Sequence, residues 1–358
     1  MLCLLDLDAF FCSCEEARRP DLAGVPFCVG GNPDGRGVVA TANYAAREFG
    51  VGSALPSAEA RRRCPQLLFL PVDIAHYRGA SRAIWAALAD VSPAVEQTGI
   101  DEGYLAVPDG ADPAGCAAGR QRVVADVAGV TCSVGVARVK VAAKIAADMR
   151  KPAGVVVVPH GEEGRFLAPL PVERLPGVGP KTAERLRARG LTAIGDLAGL
   201  TDGQLAEAFP GAVGVELRDR ARGDDRRAIQ TEPAEPVQIS RELTYDRNIR
   251  RFSDLDREVA TMAAQVSERM AARGRAGRTV VVKLRYARDF TTITRSRTLP
   301  AATQDGALIA RVARGLAREA LADRPGHLRL VGVGMSSLAT QWQLTLLDPT
   351  VADGPPAP

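Results

Sequence analysis

The stretch LLDLDAFFCSCEE, Leu4–Glu16, decides how the rest is read. Its apolar start, continuing Met1–Cys3, reads as a short buried strand over Met1–Asp6, and helical spacing takes over from Ala9 to Arg18. Asp8 stands where the N-cap of that helix belongs. Asp6 ends a buried strand, where a carboxylate is costly unless it is paired or bound to a metal. A second acidic pair, Asp101–Glu102, interrupts another apolar strand, Ile100–Val107, in TGIDEGYLAV. Convergence of Asp6, Asp101 and Glu102 would supply hard oxygen ligands suited to Mg²⁺. Taken singly, each motif is better read as a capping Asp or a hairpin-turn pair.

At 358 residues, 46% hydrophobic and 25% charged, the chain is long enough for two to four domains. Seven cysteines, irregularly spaced and absent after Cys132, argue against a secreted disulfide framework and for a reducing cytoplasm. No apolar stretch reaches the length of a membrane span. The net charge of +4 hides an asymmetry: Val237–Pro300 carries 14 Lys plus Arg against 7 Asp plus Glu, a local +7, which marks a polyanion-binding candidate.

After the Pro-rich segment Thr231–Gln238, the last block predicts a strand (ISRELTYD), a helix from Ser253 with Asp256 in an acidic capping box, and a Gly274 stop. Two strands follow. In the first, Val280, Val282, Leu284 and Tyr286 face one way and Lys283 and Arg285 the other; in the second, Arg295 and Arg297 share a face. A helix over about 305–323 and a strand over about 328–338 complete βαββαβ, a split βαβ arrangement whose helix-free face would present the basic residues. Upstream, LPGVGPKTAERLRARGLTAIGDLAGL (Leu175–Leu200) places Gly177 and Gly179 in a tight turn before a helix near Lys181, with a second helical region starting near Thr192. Such a turn alone is most often only a turn. With flanking helices and a lysine it reads as a helix-hairpin-helix gripping a nucleic-acid phosphate. The first 160 residues predict a mixed sheet with helical covers.

LLDLDAFFCSCEE, RGVVATANYAAREFGV (Arg36–Val51), GIDEGYLAV, CSVGVARVKVAAKIAADMRKP (Cys132–Pro152) and the helix-hairpin-helix resemble, in order, the Y-family DNA polymerases, closest to the bacterial DNA polymerase IV group. The resemblance runs from about Met1 to Leu338. It implies an α+β right-hand polymerase: a mixed-sheet palm (1–9 and 73–158), small fingers (10–72), a helix-hairpin-helix thumb (159–230), a linker (231–236), a βαββαβ little finger (237–340) and a tail (341–358).

By that resemblance, Asp6, Asp101 and Glu102, with the main-chain carbonyl of Leu7, hold two Mg²⁺ ions, for which Mn²⁺ can substitute, about 4 Å apart for phosphoryl transfer. Phe10 and Phe11 start a helix whose amides face the triphosphate, with Phe11 the gate against a ribose 2′-hydroxyl and Phe10 in the core. Thr41, Tyr44, Arg47 and Lys151 match triphosphate contacts, and Ala54 the small residue under the templating base. Gly177, Gly179, Lys181, Lys283, Arg285, Arg295 and Arg297 are the DNA contacts. Gln343, Leu344, Leu346 and Leu347, in QLTLL, resemble a sliding-clamp docking peptide. Partners would be primer–template DNA, dNTPs and the clamp, with the chain acting as a monomer. Gly103 departs from the family, where Ala is usual, and Gly334 stands where some relatives carry a basic residue. A non-catalytic accessory DNA-binding protein is the rival reading; such relatives typically lose the acids that this chain keeps.

Overall fold

The computed structural model describes residues 1–209, 212–232 and 234–340. The chain divides into two compact units, Met1–Pro233 and Ala234–Pro358. In the first, β1 (Leu2–Leu7), α1 (Phe10–Arg18), β2 (Phe27–Gly30), β3 (Val39–Ala42), α2 (Tyr44–Arg47), α3 (Ser57–Arg63) and β4 (Leu68–Leu70) come in order. Next are α4 (Ile74–Asp90), β5 (Val95–Gln97), β6 (Glu102–Ala106), α5 (Pro113–Ala128), β7 (Cys132–Ala137), α6 (Lys140–Met149) and β8 (Val155–Val157). Short helices close the unit: α7 (Glu163–Leu167), α8 (Pro180–Arg187), α9 (Ile194–Ala198), α10 (Asp202–Ala208) and α11 (Val213–Ala221).

The main sheet has the order β5-β6-β1-β7-β8, with β1 antiparallel to both neighbours and β8 parallel to β7. It is the expected mixed sheet. Every residue of β1 is buried because helices cover both faces. The two-residue period of the strand sends Cys3, Leu5 and Leu7 into a core with Tyr77, Ile84 and Leu88 of α4 and Val124 of α5, and Leu2 and Leu4 into a core with Val141 and Ile145 of α6. Asp6 therefore falls on the α6 side. Gly135 of β7, opposite Leu4, lets that helix close in: a Cβ there would lie 2.1 Å from the Ala143 carbonyl oxygen. A smaller sheet, β3-β2-β4, carries α2 and α3 beside it.

The capping prediction for Asp8 is corrected. The N-cap of α1 is Ala9, held in the left-handed region at φ 44°, and no side chain caps the helix. That turn leaves Asp8 buried, with Oδ1 accepting from Ser133 Oγ at 2.8 Å and Oδ2 from the Ala153 amide at 2.8 Å. Asp8 ties β1, β7 and the segment after α6 together.

The second unit contains β9 (Gln238–Ile249), α12 (Phe252–Ala271), β10 (Ala276–Tyr286), β11 (Thr292–Thr303), α13 (Gly306–Asp323) and β12 (Leu328–Ala339), with sheet order β11-β10-β12-β9 and all pairs antiparallel. β12 lies between β9 and β10, and β10 between β11 and β12, so each βαβ is split by a third strand, as predicted. The capping box is not formed: Arg251 is the N-cap of α12, no side chain caps it, and Asp256 pairs instead with Arg314 of α13 at 3.0 Å. Among the described residues all seven cysteines are free thiols, and no helix is long and apolar enough to cross a membrane.

Candidate active site and nucleic-acid interface

The antiparallel register sets Asp6 directly opposite Glu102, so both carboxylates leave the sheet on the α6 side. Asp101 precedes β6, and its carbonyl accepts from the Leu7 amide at 2.8 Å. Asp6 and the Asp101–Glu102 pair, far apart in sequence, thus meet at one end of the sheet. α4 steadies the acidic hairpin from behind: Ser81 Oγ donates to the Ile100 carbonyl at 2.6 Å, with Trp85 Nε1 at 3.4 Å from the same oxygen. A Cβ on Gly103 would lie 2.7 Å from Trp85 Cη2, which accounts for glycine where Ala is usual.

Two lysines complete the cluster. Lys151 Nζ lies 2.7 Å from Asp6 Oδ1 and 3.0 Å from Asp148 Oδ1. Lys144 Nζ lies 3.1 Å from Asp6 Oδ2 and 2.5 Å from Glu102 Oε2. Burial opposes the charge on Lys144, but the hydrogen bond to Glu102 and the attraction of Asp6 outweigh it and hold the ammonium above the usual lysine range. Asp101 takes no ion pair among the described residues. Burial and then the Asp6 charge push its carboxyl above the ordinary range. Among the described residues no three His, Cys, Asp or Glu side chains stand as a ready cation cage. The oxygens of Asp6 and Glu102 are turned on to ammonium groups, showing that this donor set accommodates positive charge.

Lys144 was missed in the sequence. Its signal was there: Lys140, Lys144 and Asp148 recur every four residues along the otherwise apolar α6, a single charged edge aimed at the sheet end.

Around this cluster, Phe10 is buried in the core, whereas Phe11 is half-buried and stacks on Tyr77 with ring centroids 4.4 Å apart and planes 14° from parallel. Tyr77 is fully buried and donates to Glu15 Oε1 at 2.7 Å, so the ring behind Phe11 is fixed. Thr41 lies on β3, and its carbonyl accepts from Cys12 Sγ at 3.4 Å. α2 supplies Tyr44 and Arg47, whose guanidinium sits 4.5 Å from the Tyr44 ring centre. The Tyr44 hydroxyl donates to Asp8 Oδ1 at 3.4 Å; burial, then the Asp8 charge, push it up to about 12. Ala54 is exposed and held at φ 66°, a left-handed conformation unusual for alanine.

Three family profiles match the chain: the impB/mucB/samB family over residues 5–148, its C-terminal domain over 236–346, and the IMS family HHH motif over 161–191. A DNA polymerase IV from Methanoculleus marisnigri is 44% identical over 340 residues, 93% of either chain. One from Streptomyces coelicolor is 39% identical over 355 residues, 98% of this chain and 73% of that relative. The chain belongs to the Y-family DNA polymerases. Among solved structures, the "Y-family DNA polymerase chimera Dbh-Dpo4(243-245)-Dbh" superposes with a TM-score of 0.86 at 25% identity, covering 95% of this chain and 99% of that one. The fold is the right-hand polymerase fold, with a mixed-sheet palm, a helix-hairpin-helix thumb and a βαββαβ little finger.

In the polymerase's helix-hairpin-helix, Gly177 requires glycine: φ is 103°, and a Cβ would meet Leu217 at 3.2 Å. Gly179 is the N-cap of α8 and faces open space, with exposed Lys181 just beyond. The second hairpin helix starts at Ile194, near Thr192 as expected, and Asp196 Oδ2 accepts from the Thr192 and Ala193 amides, both at 2.8 Å.

The little-finger sheet corrects one expectation. Lys283 opposes Thr294 and Arg285 opposes Thr292, both on the face without helices. Arg295 opposes the core residue Val282 and Arg297 opposes Val280, so this pair lies on the helix side. There Arg295 binds Asp323 at 2.9 Å and Arg297 binds Glu319 at 2.5 Å, both acids on α13. The open face carries Lys283 and Arg285 among Ser240, Thr294, Ser296, Thr298, Gly332 and Gly334, together with Glu242 of β9, whose Oε2 pairs with Lys283 Nζ at 2.8 Å. A Cβ on Gly334 would lie 2.6 Å from Gln238 Nε2 and 2.9 Å from Ser240 Cβ, so a side chain at that position would have to displace the Gln238 amide and crowd Ser240 of β9. Gln343, Leu344, Leu346 and Leu347 lie outside the described residues.

Proposed function

We propose that this polymerase is a template-directed, low-fidelity translesion enzyme of DNA damage tolerance, adding dNTPs to a primer 3′-hydroxyl by two-metal phosphoryl transfer. The observation that carries the reading is the meeting of Asp6, Glu102 and Asp101 at one sheet end, with Phe11 and the Tyr44–Arg47 pair on elements that leave the same region. Three carboxylates and the Leu7 carbonyl are the oxygen donor set that Mg²⁺ or Mn²⁺ favours, and the ammonium lodged between Asp6 and Glu102 is a stand-in for such charge. Bound there, the ions would lower the barrier to attack by the 3′-hydroxyl and neutralise the departing pyrophosphate.

The chain's own residues position and select. Lys151, Arg47 and Tyr44 bind triphosphate oxygens, with Thr41 beside them. Phe11, braced by Tyr77, fills the space a ribose 2′-hydroxyl would need. Ala54 leaves room around the templating base, so altered bases are tolerated at the expense of discrimination. In this scheme 1–9 and 73–158 form the palm, 10–72 the fingers, 159–230 the thumb and 237–340 the little finger. Gly179 and Lys181 meet a DNA phosphate, and QLTLL docks on the sliding clamp. Primer extension across a template carrying one bulky adduct tests this. Mg²⁺-dependent full-length product, with misinsertion opposite the adduct, is expected; DNA binding without extension would favour the accessory-protein reading.

The open sheet face makes a separate prediction. Each lost phosphate contact lowers the salt slope of DNA binding by about 1. Lys283→Ala with Arg285→Ala should lower it by about 2, whereas Arg295→Ala with Arg297→Ala should leave it within about half a unit. Equal effects from the two pairs, measured by fluorescence anisotropy against salt, would contradict the assignment of faces.

A further inference from the structure

The Lys144 ammonium sits between two of the carboxylates proposed above as metal ligands. Both of its ion-pair partners, Asp6 at 3.1 Å and Glu102 at 2.5 Å, belong to the ligand set proposed above. Lys151 differs, since its second partner, Asp148 at 3.0 Å, lies outside that set. A carboxylate can ligate a metal and still accept from an ammonium, but an ammonium left between two ligating carboxylates would confront the ion's like charge at close range. Lys144 and a bound ion therefore compete for Asp6 and Glu102. Its stem is long and flexible. Asp148, one helical turn further along α6, is a carboxylate within its electrostatic reach.

We propose that Lys144 is a resident counter-cation, clamping Asp6 and Glu102 together in the metal-free enzyme and displaced toward Asp148 when divalent ions bind. The inference rests on the two-metal reading and adds a competitor carried by the chain itself. Without that clamp, Asp6 and Glu102 would repel across the β1–β6 pair. With it, the empty site stays assembled, and the displacement sets the divalent concentration needed to load it.

The test is direct Mn²⁺ binding to the full chain at pH 8, without DNA or nucleotide, read by electron paramagnetic resonance of the free ion. Wild-type protein should bind, and Asp101→Asn should weaken binding at least tenfold. Failure of that control would sink the two-metal reading, whatever Lys144 does. Lys144→Met should bind about tenfold more tightly, since the competitor is gone, whereas Lys144→Arg, which keeps the charge, should not gain. Unchanged or weaker binding by a folded Lys144→Met protein would overturn the proposal. Should that variant not fold, the Lys144 ammonium resonance of wild-type protein decides: Mg²⁺ titration should shift it, and a resonance that stays put overturns the displacement.

Discussion

Asp101→Asn should cut Mg²⁺-dependent primer extension by roughly a thousandfold, equivalent to about 4 kcal/mol of lost transition-state stabilisation, while leaving the fold at least as stable. Asn keeps the shape and removes a charge that makes no ion pair among the described residues. The stability half follows from linkage. Burial and then the Asp6 charge raise the folded-state pKa of Asp101, so its ionised form destabilises the native state. That penalty is absent below the ordinary carboxylate range and grows as pH rises through the raised value. At pH 7 the variant should therefore melt no lower than wild type, and any gain should vanish in acid. Thermal melts at pH 7 and pH 4 beside single-turnover extension check both halves. Extension within tenfold of wild type, or a lower melting point at pH 7, would contradict the assignment.

Phe11→Ala should raise the ratio of ribonucleotide to deoxynucleotide kcat/KM by about a hundredfold, the scale on which one steric contact discriminates substrates. The ring is well suited to be a fixed wall, because it lies nearly flat on Tyr77, which is itself buried and bonded to Glu15. The effect should appear mainly in the ribonucleotide rate, with deoxynucleotide incorporation changed only a fewfold. Single-nucleotide incorporation with matched dNTP and rNTP measures it. An unchanged ratio would place the gate on another side chain.

These features differ in how far the sequence exposed them. The apolar run ending at Asp6 and the interrupted strand before Tyr104 each carried a local signal, a carboxylate where burial makes one expensive, and the register then opposed them. The alternation in Val280–Tyr286 was equally plain, because a half-buried strand must send its apolar side to the helices. Arg295 and Arg297 misled for a related reason: they alternate correctly, but only the pairing with Val282 and Val280 reveals which face they occupy. Asp8 looked like a cap because spacing does not show the left-handed turn at Ala9 that redirects its side chain to Ser133. The short strands β2, β4 and β5, of three or four residues each, are defined by their partners and lack a period long enough to read. Lys144 resembled any helical lysine until α6, admitted by Gly135, brought it on to the acids.

The central claim is that Asp6, Asp101 and Glu102 act as one metal-binding group. Anomalous diffraction from crystals grown with primer–template DNA, a non-hydrolysable dNTP and Mn²⁺ tests it most directly. Two peaks about 2.0–2.3 Å from oxygens of these three residues, with Lys144 drawn away from Asp6 and Glu102, are the expected result. Peaks bound elsewhere, or none while Lys144 keeps both contacts, would contradict it.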